Sequence, residues 1–248
     1  MKKVGISMPV ANEAETIAGF LTGLLAEISG LGYDFRVYVI MDGFSRDHTF
    51  AIVQELAAED PRLEPVFYAQ STGVASCYLH GFRLALAEGC DYLIEMDAGG
   101  SHPPAKIKEI VAALDQEGFE AVFMSRFLPG GGMRNLPAYR RLVSRGGTLL
   151  ANLWLGMNLS DATSGFEGFT AAVLQGLRLD AFISSGGIYQ TEIKYYCVSQ
   201  GCKIKEIPFT YVGAKTTFKP KWLWIALKTL AGIKANRSRV LARSAAGN

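Results

Sequence analysis

Six side chains stand out as equipped for phosphate chemistry: the carboxylates Glu13, Asp42 and Asp97, and the guanidinium groups of Arg126, Arg140 and Arg145. Each carboxylate follows an apolar run that reads as a strand: Val4–Met8, Phe35–Met41, and the run beginning at Asp91. Open α/β sheets bind ligands at the carboxyl ends of their strands, so the three acids are expected on one rim. Carboxylates gathered there repel one another, and a divalent metal holding a diphosphate would offset that repulsion. On its own Asp97 reads as readily as a turn former as it does as either a metal–phosphate ligand or an acceptor for sugar hydroxyls. The arginines flank the glycine-rich stretch Pro129–Pro137, and their planar forks suit phosphate oxygens. Solvated helix charges are the alternative reading, and Arg140 and Arg145, five apart on a helix, cannot both be ideally aligned.

The elements that must position these groups alternate. Helical periodicity through Ile17, Phe20, Leu21, Leu24, Leu25 and Ile28 follows the first strand, with Asn12 placed as its N-cap and Glu15 as the reciprocal partner. A strand over 35–41 and a helix over 47–58 form a second unit, and a strand over 65–68 and a helix over 73–88 a third. The strand before Asp97 and a helix over 104–116 form a fourth, followed by a fifth strand over 120–124. This order predicts an α/β fold with a mostly parallel sheet covered on both faces. Past the glycine-rich loop the sequence predicts a helix over 138–155 and one strand over 203–212. We expect one domain over residues 1–235 and a disordered tail over 236–248.

Composition narrows the function. Of 248 residues, 49% are hydrophobic and 19% charged, and the net charge of +2 gives no case for nucleic acid. Cys77, Cys90, Cys197 and Cys202 lack C-x-x-C spacing, and His48, His80 and His102 are not paired as metal ligands. Unpaired thiols and the lack of an apolar leader after Met1 point to a cytoplasmic protein. No run is long enough to span a bilayer. Lys215, Lys219 and Lys221 precede Trp222-Leu223-Trp224-Ile225, which reads either as an interfacial segment on anionic lipid or as a helix packed on the sheet. Neither G-x-x-x-x-G-K-[ST] nor G-x-G-x-x-G between a strand and a helix is found, so a nucleotide would be held by another arrangement.

Seven segments together resemble the inverting family 2 glycosyltransferases of the GT-A fold, within them the dolichol- or polyprenol-phosphate mannose synthase type. They are Met8–Glu13, Val39–Gly43, Gly73–Gly81, Ile94–Pro103, Ser125–Gly131, Arg140–Gly146 and Asp161–Phe166, in the family's order within residues 4–219. The resemblance implies transfer of a sugar from a nucleotide-sugar donor to a polyprenyl phosphate, at the inner face of a membrane with peripheral contact. Pro9, Ala11, Glu13 and Asp42 would line the base and ribose. Asp97 would reach the diphosphate through Mg or Mn with Ser101 close by, and Arg126, Arg140 and Arg145 would meet the acceptor phosphate. Asp97, Arg126 and Arg145 are thereby the candidate catalytic residues.

A phosphate acceptor is already ionised near neutral pH, so positioning and charge stabilisation suffice without a base. If a base is used, Asp161 and Glu192 are the candidates, Glu192 otherwise reading as a helix-surface residue. Two positions depart from the family pattern: Gly99 replaces the second Asp of the D-x-D segment, and Met41 replaces an Asp beside the base site. The alternatives kept open are transfer to a saccharide or other hydroxyl of a surface polymer, and a non-catalytic nucleotide-sugar-binding module.

Overall fold

The computed structural model describes residues 1–213 and 221–241, with side chains of the last helix described from 228 onward. Lys215 and Lys219 lie outside the described residues, as do the side chains from Lys221 to Ile225.

Strands β1 (Lys3–Val10), β2 (Asp34–Asp42), β3 (Leu63–Tyr68), β4 (Tyr92–Glu95) and β5 (Ala121–Ser125) alternate with helices α1 (Ile17–Ile28), α2 (Thr49–Glu59), α3 (Val74–Ala87) and α4 (Ile107–Asp115). After β5 come β6 (Gly132–Arg134), α5 (Ala138–Leu155), β7 (Glu167–Thr170), α6 (Ala171–Gln175), α7 (Tyr189–Gln200), β8 (Ile204–Pro208), β9 (Thr210–Val212) and α8 (Lys221–Leu241). The main sheet runs β3-β2-β1-β4-β7-β5-β8, parallel except for β7, which is antiparallel to both neighbours. This is the mostly parallel, helix-covered sheet expected.

Strand alternation explains the two faces. Val4, Ile6 and Met8 point into a core with residues of α1, α2 and α4. The intervening Gly5 and Ser7 face α3, which sits so close that a Cβ on Gly81 would overlap Ser7 Oγ. A second core lies on that face, built by α3, α6, α7 and part of α8.

Several local expectations change. β1 continues through Pro9 to Val10, because Pro9 needs no ladder donor at its position beside Ile40. Asn12 does not cap α1: it takes a left-handed φ of 56°, and the helix starts at Ile17, with Glu13 O accepting from the Thr16 and Ile17 amides. The single strand expected over 203–212 splits, β8 joining the main sheet and β9 pairing with β6. The glycine-rich stretch therefore holds a strand. Helix α8 reaches Leu241 with Val240 fully buried, so residues 236–241 are ordered, against the expected tail.

Gly131 is what lets this stretch turn back on β5. A Cβ there would lie 2.7 Å from Ser125 O and 3.0 Å from the Arg126 carbonyl carbon, both backbone atoms that cannot swing aside. At Gly132 the added Cβ would meet the Thr210 side chain at ordinary contact distance, Oγ1 at 3.7 Å and Cγ2 at 4.0 Å. Gly131→Ala is expected to cost about 1–3 kcal/mol in urea denaturation. Gly132→Ala should stay within about 0.5 kcal/mol of the parent.

Candidate active site

The crevice opens where the strand order reverses, between the carboxyl ends of β1 and β4, with β2 next to β1. Glu13 follows β1, Asp42 ends β2 and Asp97 follows β4, so the three acids do share a rim. The loop after β1 is stapled to the turn after β2: Asn12 N donates to Ser45 Oγ, Arg46 N to Asn12 Oδ1, Glu13 N to Thr49 Oγ1, and Ala14 N to Asp47 Oδ2. Thr49's hydroxyl and the backbone amides hold the Asp47 carboxyl low, at about 2. Pro9, near the end of β1, and Ala11, on this loop, are half-buried. Asp42 Oδ1 accepts from Ser71 Oγ at 2.5 Å and from Phe44 N at 3.1 Å. Met41 is in the core, 1% exposed, so it does not face the rim.

Asp97 is held by two groups outside the acidic set. Tyr78 donates its hydroxyl to Asp97 Oδ1 at 2.5 Å, and Asp97 N donates to His102 Nδ1 at 2.9 Å. Burial drives the Tyr78 phenol well above its usual range, with Asp97 adding to the effect, so it stays a donor. His102 is itself buried and stacked on Phe166, and burial lowers its imidazole pKa. The other oxygen, Oδ2, lies 3.8 Å from His102 Nε2, too far for a hydrogen bond, on a side chain 43% exposed.

Beneath Asp97, Glu95 and Glu167 face each other across β4 and β7, both fully buried. Burial raises both carboxyls, and their mutual repulsion adds to the rise at Glu95. Tyr189 OH donates to Glu95 Oε2 at 3.1 Å and stacks on Tyr78, tying this floor to Asp97.

The arginines gather beside it. Arg126 and Arg145 each lie over the Phe127 ring, at 5.4 and 5.3 Å from its centroid. Arg126 lies 5.8 Å from the Tyr211 ring centroid, and Arg140 acts electrostatically on the same phenol. Tyr211 also sits against His102, and Asp97 helps raise its pKa, so it joins the carboxylate to the arginines. Both helix arginines stand on α5, Arg145 exposed and Arg140 half-buried.

Arg126 is not aimed freely into the crevice. Its Nε and Nη2 donate to Asp161 Oδ2 and Oδ1 at 2.7 and 2.8 Å, Nη2 also donates to Thr163 Oγ1, and its own amide donates to Asp161 Oδ2. Burial pushes the Asp161 carboxyl up, but the Arg126 contacts more than offset this and hold it below the usual carboxylate range. Glu192, expected on a helix surface, is fully buried; it accepts from the Ile183 and Ser184 amides and from Tyr196 OH. Both candidate bases are thus engaged elsewhere.

Tyr189 and Tyr211 escape a sequence reading because their partners lie far away in the chain, whereas Tyr78 and His102 stand in the recognised segments but their contacts with Asp97 depend on how α3 and the turn after β4 fold. Ser101 is buried beside the same phenol of Tyr211.

A metal has limited protein ligation here. Among the described residues no group of three or more His, Cys, Asp or Glu is arranged to hold an ion. A Cβ at Gly99 would lie 3.5 Å from Glu13 Oε1, so Glu13 borders the space of the missing Asp. One exposed carboxylate oxygen suits an ion completed by diphosphate and water, the usual habit of Mg²⁺, but not an all-protein cage.

The model of the family described as Glycosyl transferase family 2 matches residues 6–178. The chain belongs to this family. It is 35% identical to the undecaprenyl-phosphate mannosyltransferase of Micrococcus luteus over 70% of this chain and 71% of that one. It is 30% identical to the polyprenol monophosphomannose synthase of Mycolicibacterium smegmatis, over 83% and 76%. The crystal structure of glucosyl-3-phosphoglycerate synthase from Mycobacterium tuberculosis in complex with Mn²⁺, UDP and glucosyl-3-phosphoglycerate superposes with a TM-score of 0.64 at 16% identity, covering 95% of this chain and 80% of that one. The fold is GT-A, and this family 2 member is a glycosyltransferase.

Asp161→Asn leaves the buried Arg126 without its carboxylate and is expected to cost about 3–5 kcal/mol at neutral pH. Because the Asp161 pKa is depressed on folding, its contribution is present above the unfolded value, about 4, and is lost as pH falls through the folded value. The gap between parent and variant in urea denaturation should therefore narrow below about pH 4.

Proposed function

We propose that the chain transfers a sugar from a nucleotide-sugar donor to a polyprenyl phosphate, with inversion, at a membrane surface. The observation that carries this reading is the arrangement of three arginines around Phe127 and Tyr211, next to Asp97, with no free base among the candidates. An ionised phosphate acceptor needs cationic forks to position it and no proton acceptor. A hydroxyl acceptor would need a base, and Asp161 and Glu192 already spend their oxygens on Arg126 and on backbone amides. The names of the M. luteus and M. smegmatis relatives support the same acceptor class.

In this reading Pro9, Ala11, Glu13 and Asp42 line the nucleoside, and the stapled loops keep them in place before the donor arrives. Asp97 Oδ2 would hold a divalent metal, Mg or Mn, together with the donor diphosphate, and the ion would offset charge on the leaving group. Tyr78 fixes the carboxylate's orientation through Oδ1. The acceptor phosphate lies against Arg145, Arg140 and the unshared edge of Arg126, aimed in line at the anomeric carbon.

Helix α5 supplies a surface for the lipid part. Leu142, Leu149 and Leu153 are 74%, 61% and 76% exposed and fall on one helical stripe, with Trp154 half-exposed beside them. Arg145 borders that stripe, placing a cation where apolar side chains meet anionic headgroups. Among the described residues, no helix is long and apolar enough to cross a membrane.

Three measurements test this. Incubation with radiolabelled donors and lipid extract should place label in a mild-acid-labile lipid, and Asp97→Ala should lower transfer by at least about 100-fold. Label in a glycan supports a hydroxyl acceptor instead, and donor binding without turnover a non-catalytic module. Donor affinity that is indifferent to manganese and to chelator would remove the metal from Asp97. Separately, Leu149→Asp with Leu153→Asp should reduce sedimentation with phosphatidylglycerol vesicles while donor binding is kept.

A further inference from the structure

Lys194 is fully buried on α7, an expensive place for an ammonium unless every proton is matched. Its Nζ donates to Asp161 O at 3.0 Å, Ser164 O at 2.8 Å and Ser164 Oγ at 2.9 Å, and pairs with Glu167 Oε1 at 3.0 Å. Three of these four contacts lie on one turn, Asp161 to Ser164, and only one on the sheet. A turn of helix earlier, Thr191 Oγ1 donates to Ala162 O at 2.9 Å, and Ser164 Oγ lies against Met124 O on β5. One face of α7 therefore grips three of the turn's four carbonyls. The same turn presents the Asp161 carboxylate that clasps Arg126 by Nε, Nη2 and its backbone amide.

Pairing with Glu167 occupies one of the ammonium's protons, and the others are spent on the Asp161–Ser164 turn, which the cation thereby ties to α7. We propose that Lys194 is a positioning residue for Arg126: by fixing the Asp161–Ser164 turn it sets the plane and direction of the Arg126 guanidinium, with Thr191 assisting. Its consequence for catalysis rests on the reading of Arg126 as an acceptor-phosphate ligand.

Lys194→Met alone would leave Glu167 as a buried, unpaired carboxylate, so the informative variant is Lys194→Met combined with Glu167→Gln, which removes both charges together. In this double variant the Arg126 Nε–H resonance, followed by nitrogen-15 NMR of the full chain, should shift or broaden. The KM for polyprenyl phosphate should rise by about tenfold while the donor Kd changes by less than about twofold. Combined with Arg126→Ala, the loss should be less than the product of the separate losses, as for residues acting through one group. Thr191→Val, which disturbs no buried charge, should move the same resonance in the same direction by less. An Arg126 resonance unchanged in the folded double variant and in Thr191→Val overturns the proposal, whatever the transfer assay gives. A resonance that moves while Arg126→Ala leaves the acceptor KM unchanged supports the positioning link and overturns the acceptor role of Arg126 instead.

Discussion

The ion pair between Arg126 and Asp161 is the contact on which the proposed acceptor side depends. Arg126 leaves the end of β5, Asp161 sits in the turn before β7, and the two meet with side chains 7% and 0% exposed. Desolvating both ions consumes most of their attraction, so such pairs add little net stability compared with apolar packing. What the pair supplies is geometry. Two parallel N–H···O bonds and a backbone amide fix one plane, whereas a single Lys ammonium would rotate. Gly131 permits the glycine-rich stretch to fold back over this pair, and β6 joins β9 there, carrying Tyr211 toward both His102 and Arg126.

On the donor side the governing constraint is like charge. At separations of about 4 Å two carboxylates repel by about 1 kcal/mol in water and about 4 kcal/mol at the effective dielectric of a partly buried site. An Asp at position 99 would begin 3.5 Å from Glu13 Oε1. Gly99 removes that repulsion and leaves Asp97 as the one carboxylate of the D-x-D segment. Tyr78 and the Asp97–His102 turn then hold by hydrogen bonds an orientation that a second acidic ligand need not share.

Much of this was legible in the sequence because it is periodic or local. The α/β alternation, the helix over 138–155 and the three acids after three strands all follow from patterns of 2 and 3.6 residues and from strand ends. What could not be read depends on partners distant in sequence. Asn12 looked like a cap because Asn before a periodic run has that local use, yet its side chain satisfies the Arg46 amide of the neighbouring unit. Glu192 looked exposed because nothing nearby in sequence pairs it, and its partners are Ile183, Ser184 and Tyr196. Residues 167–170 are too short to show a strand by alternation, and β7 exists because β4 and β5 each offer it an unpaired edge. Met41 illustrates the converse: the family pattern puts an acid there, but a position buried in the core that α1, α2 and α4 cover favours an apolar side chain in this chain.

The two candidate bases bear on the acceptor chemistry proposed above. A general base must hold a free lone pair and a pKa near the working pH. Asp161 has neither: Arg126 and Thr163 occupy its oxygens, and its carboxyl is pulled below the usual range. Glu192 gives its oxygens to two amides and a phenol, on the far side of α7 from that turn's carbonyls. Freeing either would break contacts that hold a buried loop, a cost incurred in every cycle. An acceptor that arrives already ionised avoids it, and needs from the protein only fixed positive charge at the mouth of the crevice. Arg145, resting on Phe127 with its remaining face in solvent, supplies that charge with the least desolvation of the three arginines. Arg126, locked in its fork, supplies direction. In the proposed reading, that difference between a solvated and a buried guanidinium is the reason the acceptor phosphate meets both.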